Sequence, residues 1–395
     1  MTLDKETFIR QYSVERKQTD SLKWDALEER FGDSELLPAW VADMEFSVPE
    51  TVKNALAERV AHGIFGYSLV TTDYFNAYKG WQERHEQTDF REEWLSFSTG
   101  VVQSLYDIID CFTEKGDAVI IQPPVYYPFF HVIQDKQRQL VTSDIQFVNQ
   151  RYVMDLEDFE QKIIVHQPKL YILCSPHNPL GRVWTEEELA AVLAICEKHQ
   201  VLVLSDEIHS DIVLTGHRFC SSATVANGRF LDNLILVNSP SKTFNLAGLL
   251  NSHVWIPNEK LRTQYNEWAK EYKQTEFSLL GQLAAKVAYE TGDDWTTGLL
   301  ATIEENYHYA KARLEAEVPD VVVADLQGTY LMWVDLRAYV APDAIKEVVQ
   351  DKAKLAIDFG EWFSPEAKGF IRINLATPPT NIHQAIEQLI AALTA

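Results

Sequence analysis

Three apolar runs in this 395-residue chain each lead to a side chain that can hold or move a proton. Leu170–Cys174 is followed by Ser175-Pro176-His177-Asn178-Pro179-Leu180-Gly181. Val201–Leu204 is followed by Ser205-Asp206-Glu207-Ile208-His209, and Leu234–Val237 by Asn238-Ser239-Pro240-Ser241-Lys242. An amide, a carboxylate and a primary amine therefore follow successive runs. A free lysine amine, with a pKa of about 10.4, is a poor nucleophile at neutral pH. Burial lowers that value and lets the amine condense with an aldehyde. Taken singly, Lys242 reads as a solvated surface residue, Asp206 as a helix cap and Asn178-Pro179 as a turn. Their convergence on one sheet edge gives them weight, because ligands of open α/β sheets bind at the carboxyl ends of the strands.

An aldehyde that needs all three groups is pyridoxal 5′-phosphate. Lys242 is the expected anchor and the base for a Cα proton. A carboxylate beside the pyridine nitrogen keeps it protonated, so the ring accepts electrons from a Cα carbanion; Asp206 suits that role. The phenolate oxygen needs donors, for which Asn178 and His209 are the candidates. The phosphate needs backbone N–H groups and hydroxyls. Gly100, Val101 and Val102 open an apolar helix, where such N–H groups gather, and Ser239 and Ser241 carry hydroxyls. Tyr126, in Pro123-Pro124-Val125-Tyr126-Tyr127-Pro128, is the candidate to cover the ring, with an ordinary core tyrosine as the alternative. An amino-acid substrate brings a carboxylate, which arginine binds at two points. Arg372 sits within the apolar Phe370-Ile371-Arg372-Ile373-Asn374 and needs an anionic partner. That partner is either a substrate carboxylate, with Asn178 and Tyr126 also in contact, or a structural salt bridge.

The elements that must position these groups are legible too. Ala118–Ile121, Leu170–Cys174, Val201–Leu204, Leu234–Val237 and His253–Ile256 are continuous apolar runs, as expected for strands buried on both faces of a parallel sheet. Helical stretches separate them, and one opens with a capping box, Thr185 with Glu188. The pattern predicts an α/β fold with a mostly parallel central sheet flanked by helices. The tail differs: a long polar helix from Tyr289 to about Val318, strands at Val321–Ala324, Tyr330–Asp335 and Gly369–Asn374, then a terminal helix. We expect a large domain over 49–288 and a smaller α+β domain from 1–48 with 289–395.

Composition narrows the partners. Lys and Arg number 35 against 58 Asp and Glu, a formal charge of −23, which disfavours nucleic acid and anionic membrane. Cys111, Cys174, Cys196 and Cys220 form no C-x-x-C pair and read as buried thiols of a reducing, cytoplasmic compartment. The polar N-terminus does not read as a signal peptide. No metal site is expected. A nicotinamide enzyme would need G-x-G-x-x-G after its first strand, and the chain has no such run.

Asn178, Asp206, Lys242 and Arg372, in this order and approximate spacing, resemble the aspartate-aminotransferase-like pyridoxal-phosphate enzymes of fold type I, class I/II. Leu37-Pro38-Ala39-Trp40-Val41-Ala42-Asp43-Met44-Glu45-Phe46 is similar, more narrowly, to a segment of the MalY/PatB cystathionine β-lyases, with Glu45 where that subfamily usually has Asp. Asp206-Glu207-Ile208-His209, Ser241-Lys242-Thr243-Phe244-Asn245-Leu246-Ala247-Gly248 and Arg372-Ile373-Asn374-Leu375-Ala376 extend the resemblance. His209 stands where general aminotransferases usually have tyrosine, and Leu250 where they often have arginine. The resemblance implies a C–S β-lyase acting on cystathionine or related S-substituted cysteines, and a homodimer with its active sites at the subunit interface. It also implies that Tyr67 reaches the phosphate of the neighbouring subunit. An aminotransferase is the nearest rival, and a non-catalytic regulatory protein a more distant one.

Overall fold

The computed structural model describes residues 3–85, 88–274 and 277–395. Among these, the central sheet has seven strands: β1 (Leu95–Ser98), β2 (Ala118–Ile121), β3 (Gln139–Thr142), β4 (Leu170–Cys174), β5 (Leu202–Asp206), β6 (Leu234–Asn238) and β7 (Ser252–Trp255). Their order is β1-β7-β6-β5-β4-β2-β3. The pairs β6–β5, β5–β4, β4–β2 and β2–β3 are parallel. Every residue of β2, β4 and β6 is buried, which is why these strands are apolar without alternation.

One strand departs from the expectation of a parallel run. β7 pairs antiparallel with both β6 and β1. The connection over 239–251 holds a single helical turn, Pro240–Thr243, and a short 3-10 turn rather than a crossover helix, so the chain doubles straight back.

The principal helices are α1 (Lys5–Tyr12), α2 (Val101–Phe112), α3 (Glu186–His199), α4 (Leu279–Thr291), α5 (Asp293–Glu317) and α6 (Pro379–Thr394). The capping box of α3 forms: the Glu188 N–H donates to Thr185 Oγ1 at 3.2 Å and the Thr185 N–H to Glu188 Oε2 at 2.9 Å. The long helix expected from Tyr289 is two helices that meet at Gly292. A Cβ at Gly292 would strike the Phe244 ring, and Asp293 and Asp294 favour a fresh helix start by complementing its dipole.

A second sheet follows, with strands β8 (Val322–Val323), β9 (Leu331–Asp335), β10 (Asp358–Phe359) and β11 (Phe370–Asn374) in the antiparallel order β8-β9-β11-β10. The N-terminal segment packs on this part of the chain. Leu37–Pro38 pairs with Leu355–Ala356, and Phe8 of α1 lies edge-on to Trp295 of α5, ring centres 5.5 Å apart. Cys174 and Cys196 are buried, whereas Cys111 and Cys220 are only half-buried, and all four are free thiols. Among the described residues no helix is long and apolar enough to cross a membrane.

Candidate active site

The strand ends deliver their polar residues to one cavity of about 260 Å³, lined by Asn178, Asp206 and Lys242 together with Gly100, Val101, Val102, Tyr126, His209, Ser239 and Ser241. Ten of the twelve residues singled out from the sequence thus meet at one place. Arg372 reaches this group through Asn178. Tyr67 is not brought to the cavity of its own chain; its side chain is fully exposed in the irregular stretch over 63–71.

Lys242 lies in the single helical turn after β6. Burial lowers its amine to about 8, opposed by Asp43 and Asp206 and assisted by Arg372. Its Nζ donates to the Ala42 carbonyl at 2.6 Å. Asp206 ends β5. Burial raises its carboxyl to about 7, although the Ile208 N–H donates to it at 3.1 Å and Lys242 lies near. Glu207, next along the chain, turns away and accepts from Ser205 Oγ, Ser221 Oγ and the Ser222 N–H. The alternation of a strand separates the two adjacent carboxyls.

Asn178 lies on a loop pinned from behind, because Arg182 Nη2 donates to both oxygens of Glu188 on α3 at 2.6 and 2.7 Å. Asn178 Oδ1 accepts from Arg372 Nη1 at 2.8 Å. A guanidinium only donates, so this bond leaves the amide N–H groups of Asn178 free to donate elsewhere. His209 is buried edge-on to Tyr330, ring centres 5.9 Å apart. Burial, with Lys242 and Arg372 nearby, holds its imidazole well below the ordinary value, so it is neutral at pH 7. Burial likewise pushes the Tyr126 phenol up, so it keeps its proton.

Gly100 precedes α2, whose first N–H groups have no partner within the helix. Its φ of 175° is extended backbone that any residue adopts. A Cβ there would meet no protein atom and would instead occupy the cavity; the glycine supplies space. The Ser239 hydroxyl gives its proton to the Asn251 carbonyl at 2.7 Å and accepts from the Ser241 N–H at 3.1 Å. Its proton is committed, so a hydroxyl donor for an anion falls to Ser241.

Arg372, on β11, has the partner its burial demanded. Its Nη2 pairs with Asp358, directly across on β10. The same Nη2 donates to the Trp40 carbonyl at 3.1 Å. The Trp40 stretch is a strap over the site, and its carbonyls collect donors in turn. Trp40 takes Arg372, Val41 and Asp43 both take Asn374 Nδ2, and Ala42 takes Lys242 and Tyr330. Sequence reasoning missed Asp358 and Tyr330. Asp358 follows only the three-residue apolar stretch Leu355-Ala356-Ile357 and stands in a strand of two residues, too short to read as a strand from the sequence. Tyr330 precedes β9 and reads as core, and it is fully buried.

These features fit pyridoxal phosphate. His209 Nδ1 is buried without a hydrogen-bond partner, as expected of a group meant for a ligand. The cavity holds an amine that ordinary pH can deprotonate, a carboxyl ready to share a proton with an aromatic nitrogen, and a helix N-terminus for a phosphate.

A family model described as aminotransferase class I and II matches residues 42–389. The chain belongs to that family. Within it, the chain is 36% identical over 381 residues to cystathionine beta-lyase PatB of Bacillus subtilis (strain 168), covering 96% of this chain and 98% of that protein. Among solved structures, cystalysin from Treponema denticola, which contains a pyridoxal 5′-phosphate cofactor, superposes with a TM-score of 0.92 at 32% identity, over 97% of this chain and 98% of that one. The pyridoxal-phosphate-bound C–S lyase of Staphylococcus hominis superposes at 0.90 and 32%, over 97% of each chain. The aminotransferase-like fold expected from the sequence is therefore established. The pairing of Arg372 with Asp358 supplies the salt bridge that had stood as one of its two readings.

Proposed function

We propose that this protein is a pyridoxal 5′-phosphate-dependent C–S β-lyase, cleaving L-cystathionine or a related S-substituted cysteine to a thiol, pyruvate and ammonia. The observation that carries the reading is the meeting of Lys242, Asp206 and the Asn178–Arg372 pair at one cavity. When bound, the cofactor supplies an electron sink for the pair left at Cα. Lys242 holds it through its amine, Asp206 keeps a proton at its ring nitrogen, and Asn178 and His209 donate to its phenolate oxygen. Gly100, Val101, Val102 and Ser241 take the phosphate, Ser239 holds Ser241 in place by accepting its N–H, and Tyr126 covers the ring. Arg372, with Asn178 and Tyr126, orients the substrate so that its Cα proton faces Lys242. With its amine free, Lys242 would take that proton as general base, and the bond from Cβ to sulfur would break with the electron pair leaving on the thiolate. Water is consumed in releasing pyruvate and ammonia.

A homodimer completes the site in this reading. Ile64, Phe65, Tyr67 and Leu69 expose large apolar surface along one irregular stretch, as a segment awaiting another subunit would. Tyr67 then reaches the phosphate of the neighbouring site. We assign residues 49–288 to the large domain and 1–48 with 289–395 to the small one, and place the protein in the reducing cytoplasm on its four free thiols. The test is release of thiol and pyruvate from L-cystathionine with no keto acid present. Stoichiometric release supports the lyase; turnover that requires an added keto acid and yields no pyruvate from cystathionine makes it an aminotransferase instead.

A further inference from the structure

Arg372 meets the cavity through Asn178, with its charge already answered. Its Nη1 donates to Asn178 at 2.8 Å. Of the two hydrogens on Nη2, one goes to Asp358 and one to the Trp40 carbonyl. A guanidinium grips a carboxylate at two points either end-on, through Nη1 and Nη2, or side-on, through Nε and Nη2. Both grips run through Nη2. Nε is buried and has no partner, so one half of the side-on grip stands open while the other half is occupied. Asp358 is held in place as the cross-strand partner of Arg372, and both side chains are only 3% exposed.

We propose that Asp358 competes with the substrate α-carboxylate for Arg372 and so limits how tightly the enzyme holds amino acids. This rests on the reading of Arg372 as the carboxylate site. An incoming carboxylate must displace Asp358 from Nη2, or share the guanidinium with it and meet its repulsion. Substrate affinity is therefore a difference between two similar ion pairs. The affinity also follows the charge on Asp358. Burial raises that carboxyl to about 6, against the pull of Arg372 and Arg30. Below that pH Asp358 is neutral and ceases to compete, so binding tightens as pH falls. The other charged or titratable groups that face Asp358 are Tyr126 and Tyr127, whose phenols burial pushes up and away from this range. Asp206, at about 7, shares the cavity; its titration persists in an Asp358 variant and is separated that way.

The probe is 3-(methylthio)propionate, a substrate outline without the amine, so it cannot react with the cofactor. Its binding to the holoenzyme is measured by calorimetry from pH 5.5 to 8. A charge-assisted hydrogen bond regained by the ligand predicts that Asp358→Asn lowers the Kd at pH 7.5 by about tenfold or more. In the wild type the Kd falls as pH drops through about 6, and the variant loses this component. An unchanged or raised Kd in Asp358→Asn overturns the proposal. Should that variant not fold, Asp358→Ser takes its place at pH 7.5, and an unchanged or raised Kd there overturns the proposal. Arg372→Gln separates the two layers. If it leaves probe binding intact, the carboxylate-site reading itself fails. If it abolishes binding while Asp358→Asn does not tighten it, only the competition fails.

Discussion

Lys23 is fully buried, and replacing it tests how the N-terminal strap is held over the site. Its Nζ lies 2.9 Å from Glu45 Oε2, with the two side chains 1% and 3% exposed. Glu45 also accepts from Trp24 Nε1 at 3.0 Å and pairs with Arg16 at 3.4 Å. Lys23→Met keeps the volume and removes the charge. Breaking a buried pair from one side costs about 3–5 kcal/mol, because the remaining charge loses its compensation. Arg16 and Trp24 still hold Glu45, which places the cost near the lower bound. With an unfolding entropy of about 2.1 cal/mol/K per residue, a chain of this length has about 0.8 kcal/mol/K. The expected fall in Tm is therefore about 4 °C. Differential scanning calorimetry of the holoenzyme at fixed protein concentration reads it directly. The strap also carries the Ala42 carbonyl that Lys242 contacts, so the variant should lose cofactor faster on dialysis. A Tm within about 1 °C of wild type, on the same scale, refutes the view that this buried pair anchors the strap.

Further outcomes follow from the same geometry. Asp206→Asn cannot hold charge against the ring nitrogen, so kcat for β-elimination should fall by about a hundredfold or more, the scale of lost proton-transfer catalysis; steady-state pyruvate release at the wild-type rate would remove Asp206 from the mechanism. In the cofactor-free protein, burial holds the Lys242 amine at about 8. The neutral amine therefore appears as pH rises through about 8, and labelling of that residue by an amine reagent should show its midpoint there; a midpoint at the ordinary lysine value contradicts the burial argument. A Cβ on Gly298 would lie 2.7 Å from the Phe8 ring, so Gly298→Ala should destabilise by about 1–3 kcal/mol through overpacking, with kcat unchanged. A thermal melt equal to wild type means α1 is not packed on α5 in solution.

What was legible in the sequence followed physical signals with a period. β2 and β4 match their apolar runs end to end, and β5, β6 and β7 do so to within one or two residues, because strands buried on both faces must be apolar throughout. Asn178, Asp206 and Lys242 could be read because each lies within five residues of the end of such a run. The direction of β7 could not, since an apolar run carries no arrow. Asp358 could not, since its role arises from pairing across a sheet whose strand is two residues long. Glu45 was visible as a departure from the subfamily segment, but its three donors, on Arg16, Lys23 and Trp24, come together only in the fold. The strap illustrates the same limit: the Trp40 segment was recognisable by its residues, whereas its part in the site is played by backbone carbonyls, which every sequence has.

The central claim is that Lys242 holds the cofactor. Borohydride reduction of the holoenzyme fixes a cofactor that is bound through an amine, and peptide mass spectrometry then locates the pyridoxyl group. The pyridoxyl group is expected on Lys242 and on no other lysine. A pyridoxyl group on a different lysine, or none on any peptide, contradicts it.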